Sequence, residues 1–492
     1  MMKNTDKYKV IIVSLLSVMI AGCSKYLDVI PDMRTEINTV EKVGQLLVTA
    51  YPQYDYLVFT ELASDNSVDK GPGVGNLNDI ARDSYFWDEV MQTTGNNAPN
   101  TYWNAAYTAI AAANQAIEAI NENDFGDQGE QYRGEALLAR AYAHHMLVSI
   151  FAKTYQINGD NSSPGIPYVT EPEKTVFKQY ERGTVASVYE NIERDLLDGL
   201  NLIRGLTFKA TKFHFNVQAA NAFAARFYLF KGEYDKVVQY ANAIFPDNNY
   251  KENLRPIATT LRTVEFASAS LEYMNSERSY NLLLANVFSS MANIAGQGRY
   301  GLGVIGQAML NSTTVAGKHF YQRYGTWGDN QASVTKYPGL FFVTNPLSNI
   351  GYNYTIQCLF STDEALINRA EAYINLGRYD LALRDLNDFA EVRIQDYNSN
   401  AHKVTEAKVL SFYETTDIKE GLIQTVLDFK QRAFMHEGIR WFDINRHGIE
   451  IQHNHIDANG FETFEVLVQD DLRRVFQLPE SVGTSGLEKN PR

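Results

Sequence analysis

The chain has 492 residues, 45% of them hydrophobic and 21% charged, which is the composition of an ordinary globular protein rather than a disordered or collagen-like one. Asp and Glu outnumber Lys and Arg by 58 to 44, a net charge of −14 with no Lys/Arg stripe. This excludes a nucleic-acid partner, which needs a basic surface to release counterions. The only cysteines are Cys23 and Cys358, so the fold must rest on its core and not on disulfides.

Lys3, Lys7 and Lys9 precede an apolar run at 10–21 that is too short to cross a bilayer as a helix. The pattern predicts a signal peptide over residues 1–22. Ile20-Ala21-Gly22-Cys23 resembles the lipobox of bacterial lipoproteins, with Cys23 as the lipidated first residue of the mature chain. Residues 26–32 read as an extended tether, since Pro31 disfavours helix in the residue before it. A helix follows at about 40–51. Residues 65–78, with Gly71-Pro72-Gly73-Val74-Gly75, and 96–100 read as loops, and alanine-rich helical stretches cover 102–120 and 133–151.

Further along, Ala225, Tyr228, Gly232 and Tyr234 match Ala370, Tyr373, Gly377 and Tyr379 position by position, in the tetratricopeptide pattern. Leu366, Ala370, Tyr373 and Ile374 form one apolar stripe, Gly377 ends that helix, and Tyr379, Ala382, Leu383, Leu386 and Ala390 form the stripe of a second. Such a pair cannot bury its apolar face alone, so more pairs are implied: 184–203 with 217–231, and 102–120 with 133–151. Residues 247–345 are irregular and far longer than a connection needs, which points to function. The tail at 458–492 has short strand-like runs around Phe464-Glu465-Val466-Leu467-Val468. Cys358, between Gln357 and Leu359-Phe360, reads as an inert buried thiol.

Several pieces stand out in order along the chain: Cys23 with Tyr26-Leu27-Asp28, Tyr102-Trp103 with Tyr107, Ile110 and Asn114, Arg133-Gly134-Glu135-Ala136 with Arg140-Ala141-Tyr142, and Thr211-Lys212 with residues 219–228. The series continues with Arg369-Ala370-Glu371-Ala372-Tyr373, the run Glu437-Gly438-Ile439-Arg440-Trp441-Phe442-Asp443-Ile444-Asn445-Arg446, and the closing Leu478-Pro479 and Asn490-Pro491. Taken together and in that order, these pieces resemble the SusD/RagB family, the nutrient-binding outer-membrane lipoproteins of Bacteroidota. Gln431-Arg432 with His436, and Gln477 before Leu478-Pro479, depart from the family pattern. The resemblance implies an all-α scaffold of about four tetratricopeptide-like helix pairs, at about 102–246 and 363–446, within one domain at 23–492, with the loop-rich region at about 247–345 holding the ligand. It further implies a SusC-like TonB-dependent transporter as partner, an oligosaccharide ligand, and an outer-membrane location facing the cell exterior, without catalysis or cofactor. Peptide capture of the RagB type is the alternative, followed by a tetratricopeptide adaptor or a glycoside hydrolase lipoprotein.

Sugar recognition needs flat aromatic faces and hydroxyl-binding polar groups on loops held by a rigid scaffold. Trp103 and Trp441 fall in packing segments, while Trp87 and Trp327 lie in loops and are either stacking platforms or loop anchors. Asp65, Asn66 and Asn96 either bind hydroxyls or close Asx turns. Tyr300, Arg323 and Tyr324 are candidates for the opposite wall, Arg323 being open to a structural ion pair instead. His144 and His145 are adjacent on a helix and cannot chelate one ion together, and His145 reads as a satisfied core histidine. His447, His453 and His455 form a loose cluster without zinc spacing, so no metal site is expected.

Overall fold

Local signals set the helix ends. The Ser187 N–H donates to Thr184 Oγ1 at 3.1 Å while the Thr184 N–H donates to Ser187 Oγ at 3.0 Å, a reciprocal cap that starts a helix at Val185. Gly232 and Gly377 adopt φ of +75° and +71° just past two other helices, where a left-handed residue satisfies the last carbonyls. The computed structural model describes residues 37–92, 95–174, 178–203, 211–326, 328 and 330–492. Cys23, the tether at 26–32 and Trp327 lie outside the described residues.

In chain order the main helices are α1 (Val40–Leu47), α2 (Leu57–Ala63), α3 (Asp79–Tyr85), α4 (Pro99–Glu122), α5 (Gly126–Phe151) and α6 (Val185–Leu202). They continue with α7 (Val217–Lys231), α8 (Tyr234–Ile244), α9 (Thr362–Asn375), α10 (Tyr379–Glu391), α11 (Ile418–Ala433) and α12 (Arg440–His447). The architecture is an all-α, tetratricopeptide-like scaffold in which α4 packs with α5, α7 with α8, and α9 with α10, α8 and α11. One expected pairing is corrected: α6 lies chiefly against α5, and α7 pairs with α8. Two glycines explain this. A Cβ on Gly199 would stand 2.9 Å from the Gly134 carbonyl, and one on Gly134 would meet the Ile203 amide at 3.0 Å, so only these residues let α5 and α6 cross so closely. Residues Thr39–Arg492 form one compact unit, and no described helix is long and apolar enough to cross a membrane.

Buried ion pairs key these helices together. Arg369 of α9 donates to both oxygens of Asp385 in α10 at 2.7 and 2.9 Å, with both side chains almost wholly buried. Arg140 of α5 forks onto Asp195 of α6, and Arg226 of α7 onto Glu364 of α9. Glu371 of α9 accepts from Arg446 and His447 of α12, and the Arg446 charge holds its carboxyl well below the usual range despite burial. His144 Nδ1 lies 2.8 Å from the Arg140 carbonyl and its Nε2 takes the Val169 N–H at 3.0 Å, a neutral imidazole pushed down to about 3 by burial. His145 is a core residue too, but not a satisfied one: both ring nitrogens lack a hydrogen-bond partner among Tyr189, Phe223, Phe227 and Phe230.

The region at 247–345 is less irregular than its composition predicts. It carries β2 (Asn281–Phe288), which pairs with a 12-residue strand beyond it, and short helices at Met291–Gln297 and Gly303–Asn311. Counting from the start of the chain, the strands are β1 (Val68–Asp69), β2, β3 (Tyr300–Gly301), β4 (Tyr324–Thr326), β5 (Ala332–Val334), β6 (Leu340–Asn345), β7 (Ile350–Ser361), β8 (Ile451–Ile456) and β9 (Glu462–Leu467). They form a three-stranded sheet in the order β2-β7-β6 and the two-stranded pairs β1-β3, β4-β5 and β8-β9. The Cys358 thiol sits on β7, where burial pushes it up to about 11, the inert state its sequence setting predicts.

Candidate functional site

The loop at 65–78, strands β1, β3 and β8, and helix α3 meet at one place. Asp69 anchors it: its carboxylate accepts from Arg299 at 2.6 and 2.8 Å and from the amides of Gly71 and Ile456, each at 2.9 Å. The Asp69 N–H and carbonyl are both held by the Asn454 side chain at 2.9 Å. Four hydrogen bonds from Arg299 and the two backbone amides hold the Asp69 carboxyl below its ordinary range against the opposing effect of burial, so β1, β3 and β8 are tied through one buried charge.

On this anchor stands a stack of four rings. His453 lies between Tyr85, at a centroid distance of 4.1 Å and 2° from parallel, and Trp87, at 4.3 Å and 13°. Tyr85 in turn stacks on Tyr300 at 4.8 Å and 28°. The carbonyls of Tyr85 and Ser64 lie 2.6 and 2.9 Å from the two imidazole nitrogens, and burial keeps the His453 pKa below its ordinary value.

How Trp87 enters the stack follows from the end of α3. The Trp87 N–H reaches the Ser84 carbonyl and the Asp88 N–H reaches the Asp83 carbonyl at 2.8 Å, the hydrogen bonds of a Schellman turn. Its left-handed position is filled by Trp87, at φ +57°, where glycine is usual. That conformation costs an L-residue roughly 1–2 kcal/mol, offset here by the stack and by the indole N–H donating to the Ala63 carbonyl at 2.8 Å.

These contacts correct several sequence expectations. Trp87 is 2% exposed and Tyr300 likewise, so neither offers a face to a ligand. Asn66 is buried as well, its amide bonded to Glu61 and its oxygen to Gln431. Asp65 accepts from Arg440 at 2.9 and 2.8 Å, a structural pair. Arg323 donates to the carbonyls of Arg262 and Val264, and the half-buried Tyr324 bonds Asn311 and packs on a small core of Leu302, Leu310, Val334 and Met435. Asn96 sits partly exposed in the turn before α4. Thus Asp65, Asn66, Trp87 and Tyr300 gather beneath one surface, while Arg323 and Tyr324 belong to another cluster.

At the outer side of the stack lie the partly buried Phe86 and the exposed His455. Their rings meet edge to face at 5.3 Å, Phe86 leans on Tyr300 at 5.7 Å, and His455 is exposed. Asp79 and Arg82, at i and i+3, share one face of α3, and Phe86 is the capping residue just past its end. Arg82 bridges Asp79 at 2.9 Å and Asp83 at 2.7 Å. That spacing is the one sequence signal for this face, and the neighbouring tryptophan overshadows it. Behind it Lys70 is 4% exposed with an unpartnered ammonium, and burial lowers its pKa to about 8.

A ring edge and face flanked by carboxylates and a guanidinium can hold the apolar side of a sugar ring and its hydroxyls together. The larger open cleft of about 560 Å³ between α4 and residues 170–174 is lined by Asn114, Glu118, Asn121, Thr170, Glu171 and Lys174 among others, with no aromatic ring among its described lining residues. It therefore lacks the stacking element. No described cluster of His, Cys, Asp and Glu is arranged to hold a metal ion.

Residues 25–229 match a SusD-like family described as starch-binding and associating with the outer membrane. No curated protein matches the chain. Among solved structures, a SusD superfamily protein from Bacteroides thetaiotaomicron is 18% identical with a TM-score of 0.64, covering 92% of this chain and 100% of its own. A SusD superfamily protein from Bacteroides vulgatus is 17% identical with a TM-score of 0.65, covering 92% and 99%. A SusD-like carbohydrate binding protein, also from Bacteroides vulgatus, is 14% identical with a TM-score of 0.63, covering 91% and 96%. At these identities the likeness is one of fold.

Proposed function

We propose that this chain is a member of the SusD/RagB family, whose SusD-like model matches residues 25–229, and that it is a lipid-anchored cell-surface protein that binds an oligosaccharide and passes it to a SusC-like TonB-dependent transporter. The observation that carries the binding reading is the ring stack, which spends Trp87, His453, Tyr85 and Tyr300 on rigidity and presents Phe86 and His455 outward beside Asp79 and Arg82. A preorganised platform loses little entropy when a flexible glycan docks. The ligand would lay a pyranose face on Phe86 and set its hydroxyls against the Asp79–Arg82–Asp83 group. Binding is proposed without chemistry. The anchor would be Cys23, supported by the lipobox-like run before it.

Calorimetric titration of residues 24–492 against glycan and peptide panels tests this. We expect one glycan class to bind, with Phe86→Ala and His455→Ala each weakening it about tenfold or more while the melting temperature stays within a few degrees. Glycan affinity indifferent to both variants would remove the platform, and binding of peptides alone would replace the oligosaccharide reading with peptide capture. Purification from membranes without a transporter in tow would remove the delivery step.

A further inference from the structure

Helices α5, α7, α9, α11 and α12 converge on a cavity of about 20 Å³ inside the scaffold. Its lining is unfinished in its hydrogen bonds. Asn368 Oδ1, Asp443 Oδ2 and both ring nitrogens of His145 have no hydrogen-bond partner, although all three side chains are buried. Buried polar atoms left unpaired are costly and uncommon, and here three residues from three helices, each with such an atom, line one space. Burial pushes the His145 pKa down to about 3, so the ring is neutral, with one N–H and one lone pair. The charges around the cavity cancel: Arg226 pairs with Glu364 and Lys430 with Asp443, each at 2.6 Å.

An occupant of this space must be small, uncharged and able both to accept and to donate. A water needs about 10–15 Å³ of such space, so the cavity admits one. We propose that a single buried water is an integral part of the scaffold, accepting the His145 N–H and donating its two hydrogens to Asn368 Oδ1 and Asp443 Oδ2. One donor and two acceptors are the complement of a water molecule, and three hydrogen bonds are the usual number for a buried one. The second His145 nitrogen stays among the rings of Phe223, Phe227 and Phe230. A monovalent ion would put a net charge into a lining that is already balanced, at the cost of its own hydration. None of the ion pairs described above joins α5 to α9 or α12, and this water supplies that tie.

A crystal structure at about 1.5 Å resolution or better reads the site directly: one density peak is expected at about 2.6–3.2 Å from a His145 ring nitrogen, Asn368 Oδ1 and Asp443 Oδ2. His145→Leu, an apolar side chain of similar volume, asks the same question in solution. With the water in place this variant removes its donor, and the melting temperature falls by roughly 1–3 °C; around a dry cavity it would instead remove two unpaired nitrogens and raise the melting temperature. Asn368→Leu, which removes an acceptor from the opposite side of the water, is expected to move the same way. Absence of the peak overturns the proposal, as does a peak with the short contacts and crowded oxygen shell of a metal cation, or a melting temperature unchanged or raised in both variants.

Discussion

The helical scaffold and the loop platform solve the same problem with different chemistry. In the scaffold, neighbouring helices are locked by guanidinium–carboxylate forks: Arg140 with Asp195, Arg226 with Glu364, Arg369 with Asp385. In the platform, loops and the end of α3 are locked by flat rings, with the forked pairs Arg299 with Asp69 and Arg440 with Asp65 underneath. Repeated helix pairs share an apolar pattern that several offsets would satisfy about equally well. A bidentate ion pair distinguishes among them, because only one register places both hydrogen bonds. Loops have no register to lose, and what they lack is buried area, which aromatic rings supply at 150–250 Å² each.

The two chemistries should fail differently. The largest effect is expected for Arg369→Met, which leaves the fully buried Asp385 carboxylate with only the partly exposed Arg384 guanidinium at 3.0 Å and costs up to roughly 3–5 kcal/mol in urea unfolding. Equal stability of this variant and the parent would mean that packing alone sets the α9-α10 register. Next, His453→Ala opens the middle of the ring stack and is expected to cost about 2–4 kcal/mol, with glycan affinity falling further than stability; a loss of stability alone would separate the stack from the binding face.

Lys70→Met has the opposite sign. Burial depresses the Lys70 pKa to about 8 from 10.5, so the unfolded chain holds the proton more tightly between those values. The native lysine therefore costs no stability above about pH 10.5, costs progressively more as pH falls from 10.5 to about 8, and costs a constant amount below that. The variant should be more stable by roughly 1–3 kcal/mol at pH 7 and equal to the parent above pH 10.5. A gain independent of pH would assign the effect to packing instead. The smallest change is Tyr324→Phe, which removes one hydrogen bond to Asn311; about 0.5–1 kcal/mol of stability should go, with glycan affinity untouched. A loss of affinity here would join the two clusters into one site.

Much of the scaffold was legible because its signals are local. Thr184, Gly232 and Gly377 each mark a helix end through neighbours a few residues away, and the stripe through Leu366 and Ala370 repeats at 3.6. The β2-β7 sheet was not, since it joins 281–288 to 350–361 and neither strand alternates cleanly between apolar and polar. At the proposed site, the ring assigned to the platform stands one residue away from the tryptophan that the sequence singles out. Trp87 is the larger aromatic, but the turn after α3 sends it inward and leaves Phe86 outside. Which of two adjacent rings faces water depends on a left-handed tryptophan, a conformation that sequence preference argues against.

The ring stack also has a place in time. Its members come from positions 85, 87, 300 and 453, whereas each helix pair closes over a few tens of residues. Loop-closure entropy and the dependence of folding rate on contact separation put such an assembly late. Helical signal should therefore return on refolding before Trp87 settles against His453. With Trp103, Trp327 and Trp441 replaced, that indole, with Arg473 5.7 Å from its ring, would report the late step by its fluorescence.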